Sequence, residues 1–416
     1  MRWILIAAST VSLAACTTVE ETVRELAPAP PVRSALAPNV VLALSWEAPP
    51  HTLRRLDART LRPTGPALDL DDAYAASAVS PDGRRVALGS NWRGQIEIVD
   101  LRRMRRVRTI RLGGFEAVTR LAWTSPGRLL ALLDGPLRAV AVDPRTGTRD
   151  LVRRMAGNAY ASEAGPHGLA MLLAPADRIG NARVAVFDDT GVRSVALPGF
   201  AAGSEMARDV TSGEDPVFVA VPAFAVEPGS ARAVVVAPND RIAEVDLRSL
   251  AVQVHEPDSS ASLLGRVRSW LEPEAEAKLL EGWDRRGVWL ASGLVVVTGA
   301  DYSMDGGQRP AGATVIDPRD WSVRKLDPEA SEVQRAGGGF ALVRWLEVRT
   351  VATVYDGAGQ PRYRLGRRTS DLQWMGRYLY AGTRNGARYE VVDTKTGETV
   401  GRRTLDEPSW LFRPDG

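Results

Sequence analysis

Residues 78–104 read AVSPDGRRVALGSNWRGQIEIVDLRRM, and this stretch carries the pattern from which the fold is predicted. A Ser-Pro-Asp-Gly turn precedes one apolar strand, a short polar loop leads into a second strand, and the second strand ends at Asp100. A carboxylate at that position can accept hydrogen bonds from backbone N–H groups two residues further on, which closes a hairpin. The stretch therefore predicts consecutive antiparallel strands joined by short turns.

The aspartate turn recurs along the chain, each time after an apolar strand. Its eight positions are Asp57, Asp100, Asp143, Asp188, Asp246, Asp317, Asp356 and Asp393, with successive spacings of 43, 43, 45, 58, 71, 39 and 37 residues. Repeats of about 40 to 50 residues are typical of propeller blades. A ring of acidic ligands is the alternative, but residue type and position follow turn chemistry, so we interpret these aspartates as turn builders.

The two ends of the chain complete the repeat. The first strand after the N-terminal segment, at residues 40–46, lacks an inner strand of its own, and residues 405–413 can supply it. Such closure removes the free edges that an open sheet exposes. We therefore expect an all-β fold over residues 39–416, a β-propeller of eight four-stranded blades closed by a shared N- and C-terminal blade, with seven blades as the alternative.

The same repeats resemble a known group of propellers. Residues 78–104, and again YEVVDTKTGETV at residues 389–400, are similar to the WD-type, YVTN and quinoprotein-like propeller superfamily. The resemblance extends over nearly all of residues 39–416, although the Trp-Asp pair that ends true WD repeats is absent. It implies the fold and indicates almost nothing about activity.

The N-terminus indicates export and lipid anchoring. Residues 1–15 begin with the charged Arg2 and continue as an apolar run too short to cross a membrane as a helix. The run ends in Leu-Ala-Ala before Cys16, the only cysteine, and resembles the lipobox of bacterial lipoproteins. The resemblance implies cleavage before Cys16 and a diacylglycerol on its thiol; a chance match in an Ala-rich leader is the alternative. Residues 16–38 then predict the lipidated cysteine and a flexible linker.

Charge and composition exclude several classes of function. The pI of about 9.1 does not indicate nucleic-acid binding, because the net charge is only +3. His51, His167 and His255 lie in different repeats, and no phosphate-binding glycine loop is present. No catalytic residue, metal or cofactor is therefore predicted, although the three aspartates within residues 69–72 leave a carboxylate mechanism open.

Two irregular spacings mark insertions at residues 199–216 and 256–284. The second has apolar residues at helical spacing, which predicts an amphipathic helix. We interpret its apolar residues as a partner-binding surface, with packing against the propeller itself as the alternative. These residues are Leu263, Val267, Trp270 and Leu271.

Arginines are concentrated in the second repeat. One interpretation is a patch for an anionic partner such as lipid head groups or a cell-wall polymer. The other is an outermost strand whose charges prevent edge-to-edge pairing. The residues of this patch are Arg102, Arg103, Arg105, Arg106 and Arg108.

The functional expectation follows from the fold and the anchor. We expect a membrane-tethered, non-catalytic propeller lipoprotein that binds or scaffolds protein or cell-envelope partners, with no nucleic acid among them. It is expected to be a monomer, exported and lipid-anchored on the extracytoplasmic face of the membrane, which is the periplasmic or outer-membrane side in a diderm host. An exported propeller enzyme, such as a lactonase or quinoprotein-like dehydrogenase, is the alternative. Clustered ionisable groups with shifted pKa values at the channel mouth would favour the enzyme.

Overall fold

The computed structural model of this protein describes eleven segments of the chain. They are residues 39–45, 49–206, 217–238, 240–256, 280–303, 307–336, 338–346, 349–367, 371–382, 387–406 and 408–412. The chain divides into two compact units, Met1–Pro31 and Val32–Gly416, and every described segment belongs to the second. Cys16, the linker, and the predicted partner-binding residues within 263–271 lie outside these segments. Within them, no helix has the length and apolar character needed to span a membrane.

The described segments fold almost entirely into β-strands. The strands are β1 (Val40–Ser45), β2 (His51–Asp57), β3 (Leu68–Leu70), β4 (Tyr74–Val79), β5 (Arg85–Ser90), β6 (Gln95–Asp100), β7 (Arg105–Arg111), β8 (Val118–Ser125), β9 (Arg128–Leu133), β10 (Arg138–Val142), β11 (Arg149–Arg154), β12 (Asn158–Gly165), β13 (Gly168–Ala174), β14 (Gly180–Asp188), β15 (Gly191–Met206), β16 (Val217–Val221), β17 (Ala223–Val226), β18 (Arg232–Val236), β19 (Ile242–Asp246), β20 (Val252–His255), β21 (Leu280–Trp289), β22 (Val295–Ser303), β23 (Gln308–Pro310), β24 (Ala313–Asp317), β25 (Ser322–Asp327), β26 (Glu332–Ala336), β27 (Gly339–Leu346), β28 (Arg349–Asp356), β29 (Pro361–Arg367), β30 (Asp371–Met375), β31 (Tyr378–Gly382), β32 (Arg388–Asp393), β33 (Thr399–Thr404) and β34 (Ser409–Phe412).

The predicted all-β propeller is confirmed, but the predicted blade number is wrong. Six separate four-stranded sheets are present among the described residues, rather than eight or seven. Their strand orders are β34-β1-β2-β3, β4-β5-β6-β7, β8-β9-β10-β11, β17-β18-β19-β20, β26-β27-β28-β29 and β30-β31-β32-β33. The other strands form one ten-stranded sheet, in the order β12-β13-β14-β15-β16-β21-β22-β24-β25, with β23 paired to β22.

The ten-stranded sheet arises because strands continue through the two predicted insertions. β15 is 16 residues long, so residues 199–206 extend a strand instead of forming a loop. The end of β15 pairs with β16, and β16 pairs in parallel with β21. A Cβ on Gly282 would lie 2.5 Å from the carbonyl oxygen of Val219, so only glycine allows this close approach. Residues 280–284 of the second insertion likewise belong to β21.

The predicted closure of the ring is confirmed. β34 pairs antiparallel with β1, with Ala43 opposite Leu411. The seam is buried, and the hydroxyl of Tyr389 donates to the backbone carbonyl of Ser409 within it. The hydroxyl of Tyr380 donates to the carbonyl of Ala58, 2.8 Å away, across the same cluster.

Apolar faces of neighbouring sheets form the core. Between the second and third sheets, for example, Ile96 and Ile98 pack against Leu129 and Leu133, all fully buried. Similar clusters follow one another around the ring and return to the closing sheet. Each large side chain removed from water in this way contributes about 1.5 to 3 kcal/mol to the free energy of unfolding.

The predicted role of the aspartates is also confirmed. Each carboxylate accepts the backbone N–H two residues further on, or three further on for Asp100, within 3.2 Å. Burial acts to raise the pKa of several of them, but the hydrogen bonds prevail and hold every pKa below its usual value. We call the side of the propeller with these turns the lower face.

The opposite side, which we call the upper face, carries two kinds of connection. They join the second to the third strand of each sheet and lead from each sheet into the first strand of the next. First strands contact one another in succession, β4 with β8, β8 with β12, β12 with β17, β17 with β21, β21 with β26 and β26 with β30, so they line a central channel.

Candidate binding face

Exposed aromatic side chains are concentrated toward the upper face. Trp92 and Phe115 lie in upper loops, Trp345 ends β27, and Trp410 lies near the upper end of β34. Among the described residues, the other large exposed apolar side chains are Leu346, beside Trp345, and four valines on outer strands. Exposed apolar residues grouped on one face are typical of a binding surface.

Trp92 stands on a loop that buried polar groups hold in place. The hydroxyl of Ser90 accepts the backbone N–H groups of Trp92, at 3.2 Å, and of Arg93, at 2.8 Å. It donates in turn to the buried carboxylate of Asp72. Arg93 also faces Asp72, with 3.7 Å between Nε and the carboxylate oxygen. Because its backbone is fixed, the loop presents Trp92 with 66% of its surface exposed.

Phe115 stands on the next upper loop, which is bonded to the first. The N–H of Gly94 donates to the carbonyl of Glu116, 2.9 Å away, and the N–H of Leu112 donates to the carbonyl of Gly94, 2.7 Å away. Gly94, with φ of +51°, passes so close to this loop that a Cβ would lie 2.7 Å from the carbonyl oxygen of Gly113. The side chain of Phe115 is 98% exposed.

The neighbouring sheet supports the loop of Phe115. Arg138 on β10 pairs with Glu116, Nε to Oε2 3.0 Å, and its terminal nitrogen donates to the carbonyl of Gly113, 3.2 Å away. We call residues 91–94 and 112–116 the aromatic platform. Its two rings are presented on a preorganised backbone, which reduces the entropy lost when a partner binds.

The predicted arginine patch lies only in part on an outer strand. Arg105, Arg106 and Arg108 are on β7, the edge of its sheet, as the alternative interpretation requires, whereas Arg102 and Arg103 lie in the turn before it. Arg103 pairs with Asp100, at 3.2 Å, and Arg108 donates to the carbonyl of Thr146, 3.1 Å away. Arg102 and Arg105 are exposed. Binding of an anionic partner by this patch stays a prediction.

Arg106 differs from the rest of the patch because it turns inward. Its Nε lies 3.0 Å from the buried carboxylate of Glu97, and its terminal nitrogen lies 2.5 Å from Asp71. Burial raises the pKa of Glu97, whereas the hydrogen bond from Arg106 lowers the pKa of Asp71. Burial and the neighbouring Glu97 raise the pKa of Tyr74. Arg106 therefore compensates a buried acid inside its own sheet.

An ion pair joins first strands from separate sheets. Glu163 on β12 lies 3.5 Å from the guanidinium of Arg335 on β26, although these strands are not neighbours in the ring. Burial raises the pKa of Glu163, and Arg335 acts in the opposite direction. This pair ties the two sides of the channel together.

The histidines and the aspartates of residues 69–72 do not converge on one site. His167 lies 3.3 Å from the carbonyl of Ser230, and burial lowers its pKa. His255 lies 3.0 Å from Glu244 and stacks on Trp321. Asp69 lies on the exposed strand β3, while the two aspartates after it bind Arg106 and Ser90. Within the described segments, no group of three acidic, histidine or cysteine residues is placed to hold a metal ion.

Sequence reasoning missed the aromatic platform. The signal was present, because Trp92 lies between Asn91 and Gly94 in a turn, and Phe115 directly follows Gly113-Gly114. A large apolar residue in a polar turn has no core to enter, so its presence there indicates a contact outside the domain.

Comparisons with known proteins show the fold alone. No protein-family model and no curated protein matches this chain. The solved structure of the dihydro-heme d1 dehydrogenase NirN is 16% identical, covering 94% of this chain and 78% of that one, with a TM-score of 0.59. BamB from Moraxella catarrhalis (12% identity, 82% and 92% coverage, TM-score 0.45) and AztD from Citrobacter koseri (11%, 89% and 96%, 0.49) are more distant in structure. The likeness to NirN shows that the chain has the propeller fold.

Proposed function

We propose that this chain is a membrane-tethered binding propeller that docks a protein partner of the cell envelope on its upper face. The observation that supports the proposal best is the aromatic platform, where Trp92 and Phe115 stand exposed on a fixed backbone. Tryptophan and other aromatic residues supply much of the binding energy in protein interfaces. The lipid anchor on Cys16, export by residues 1–15 and the tethering role of residues 16–38 belong to the same proposal.

The point at which the chain enters the propeller supports docking on the upper face. The carbonyl of Asn39 accepts the N–H of Ala58, 2.6 Å away, beside the turn at Asp57. The chain therefore enters β1 at the lower face. A linker of residues 16–38 would reach roughly 25 Å as a flexible chain. The chain that precedes β1 therefore does not join the propeller among the upper loops, and the aromatic platform stays accessible to a partner.

The ionisable groups favour binding over catalysis. Burial raises the pKa of Glu97, Glu163 and Asp284, as it would for a catalytic acid. Each of these carboxyl groups faces an arginine, however, at 3.0, 3.5 and 3.8 Å respectively, and Glu97 lies in a different sheet from the other two. Burial also raises the pKa of Asp240, against the charges of Lys325 and Arg285. Buried acids that each face a basic side chain are typical of structural ion pairs.

Photo-cross-linking in the producing cell tests the proposal. A photoreactive phenylalanine analogue replaces Phe115 in the full chain, and in a matched variant it replaces Arg145, an exposed residue of a lower-face turn. We expect one discrete protein adduct at position 115 and none at 145, because only the upper face docks the partner. The same adducts at both positions, or none at 115, would contradict the proposal.

A second variant, Cys16→Ser, tests the lipid anchor in the same experiment. Cys16→Ser, in the same cells, is expected to lose metabolic lipid label and to leave the membrane fraction. The adduct at position 115 would then weaken, because the tether keeps the propeller near its partner. Equal membrane association and equal absence of label in both chains would contradict the anchor and leave the binding face in place.

A further inference from the structure

The outer strands of the propeller differ in charge. An outer strand exposes unpaired backbone groups, and charged side chains along it prevent unwanted pairing. Five outer strands carry two or more basic residues each: β7, β11, β25, β29 and β33. The three-residue β3 has an aspartate, and β15 is covered by β16. These edges are protected against a further strand.

β20 lacks this protection. Its sequence is Val-Gln-Val-His, without arginine, lysine, acid or proline. Val252 and Val254 are 36% and 44% exposed. Among the described strands, β20 pairs only with β19. It therefore presents an uncharged, partly apolar edge.

The backbone N–H and C=O groups of Val252 and Val254 also point away from β19. The N–H of Asp246 donates to the carbonyl of Ala251, at 3.0 Å, which makes these two residues a hydrogen-bonded pair. In an antiparallel ladder such pairs alternate with pairs whose N–H and C=O groups point apart. The register opposes Val245 to Val252 and Ala243 to Val254, so the backbone groups of both β20 valines point away from β19.

A cleft runs along the same edge. It has a volume of about 670 Å³ and is lined by Ala251 to Gln253 together with Arg232, Glu244 and Arg248. Glu244 is held by His255, at 3.0 Å, and by Arg232, at 3.5 Å. The cleft thus has fixed polar groups of both charges beside Gln253, and Val252 also contributes to its lining.

We propose that β20 is a docking edge for an extended segment of a protein partner, which adds to the sheet as an antiparallel or parallel strand. Alternate residues of the segment would pack on Val252 and Val254, and the residues between them would be polar and reach the cleft. A second copy of this chain does not fit as well. A four-residue strand is only about 13 Å long, so pairing along it would bury much less than the roughly 1,200 to 2,000 Å² of stable interfaces between folded proteins. This site is separate from the aromatic platform and does not depend on it.

Disulfide trapping tests the proposal with defined peptides. The full chain carries Cys16→Ser, so that one introduced cysteine is its only thiol, at Val254 or at the matched outer-strand valines Val107 and Val152, which are 49% and 43% exposed. Each variant equilibrates in glutathione buffer with an alternating threonine-valine peptide ending in cysteine. The control peptide has proline in place of each threonine and cannot pair as a strand.

We expect the mixed disulfide at Val254→Cys to favour the threonine-valine peptide by about fivefold, because new backbone hydrogen bonds contribute about 1 kcal/mol net. At Val107→Cys and Val152→Cys the two peptides should react equally. Val252→Cys provides a second variant should Val254→Cys fail to fold. Equal reaction of both peptides at every position, or a disulfide dimer that excludes both peptides, would overturn the proposal. Slow hydrogen exchange of the Val252 and Val254 amides without peptide would also overturn it, because the edge would already be covered.

Discussion

At the scale of single residues, the turn aspartates show which roles can be predicted from the neighbouring sequence. Their role was predictable because the bond is made within three residues of the same chain, so no distant contact is needed. The partner of Arg106 was not predictable, because Glu97 meets it only through strand pairing between β6 and β7. A run of arginines in a sequence does not show which of them turns inward.

Asp393 allows the turn chemistry to be measured. Its buried carboxylate accepts Nε of Arg377, at 2.8 Å, and the N–H of Lys395, at 3.0 Å. We expect Asp393→Ala to lower the free energy of unfolding by about 1 to 3 kcal/mol, because two donors lose a charged acceptor. Asp393→Asn keeps an acceptor oxygen and should lower the free energy of unfolding by less. Urea denaturation of the three proteins checks this order, and an equal cost for both variants would contradict it.

The same side chain gives a pH dependence with a definite sign. The hydrogen bond from Arg377 holds the pKa of Asp393 below its usual value of 3.8. A group whose pKa is lower in the folded state stabilises above its unfolded pKa, and the stabilisation is lost as the pH falls through the folded pKa. The stability difference between the native chain and Asp393→Asn should therefore shrink below about pH 4. A difference that grew on acidification would contradict this assignment.

At the scale of elements, the sequence pattern predicted the strands and the closing blade but not the ten-stranded sheet. Pro198-Gly199 has the composition of a turn, so the pattern indicates a break after Leu197. In the structure β15 continues through this pair with a register shift, and Gly199 and Gly203 take φ of +80° and +133°. Whether such a pair ends a strand depends on which strands pair with the residues beyond it, and β21 comes from a distant part of the chain.

The closing blade can be tested through its buried hydroxyl groups. Tyr389→Phe removes the donor to Ser409 on β34, and Tyr380→Phe removes a donor in the same cluster that bonds Ala58 instead. We expect the free energy of unfolding of each variant to fall by about 1 kcal/mol, because each variant loses one buried hydrogen bond. Only Tyr389→Phe should speed hydrogen exchange of the β34 amides. Faster exchange there in both variants, or in neither, would contradict a seam fixed by this bond.

At the scale of the whole molecule, the proposed function depends on an asymmetry between two faces. Aspartate turns form the lower face, where the chain enters β1, and the aromatic platform stands on the upper face. The platform could not be predicted from local patterns, because Gly94, Glu116 and Arg138 come from two neighbouring sheets and the connection between them, and they meet only in the folded ring. Its two aromatic residues were visible in the sequence, but their common backbone support was not.

The affinity of the cross-linked partner for the platform variant tests the central claim most directly. The variant carries Trp92→Ala and Phe115→Ala, and its control carries Val107→Ala and Val152→Ala, which remove exposed apolar side chains from outer strands. We expect the dissociation constant of the platform variant to rise about 30-fold or more, equivalent to about 2 kcal/mol for hot-spot residues, with the melting temperature unchanged because neither ring is buried. The control should bind as the native chain does. Native affinity in the platform variant, or an equal loss in the control, would contradict docking on the upper face.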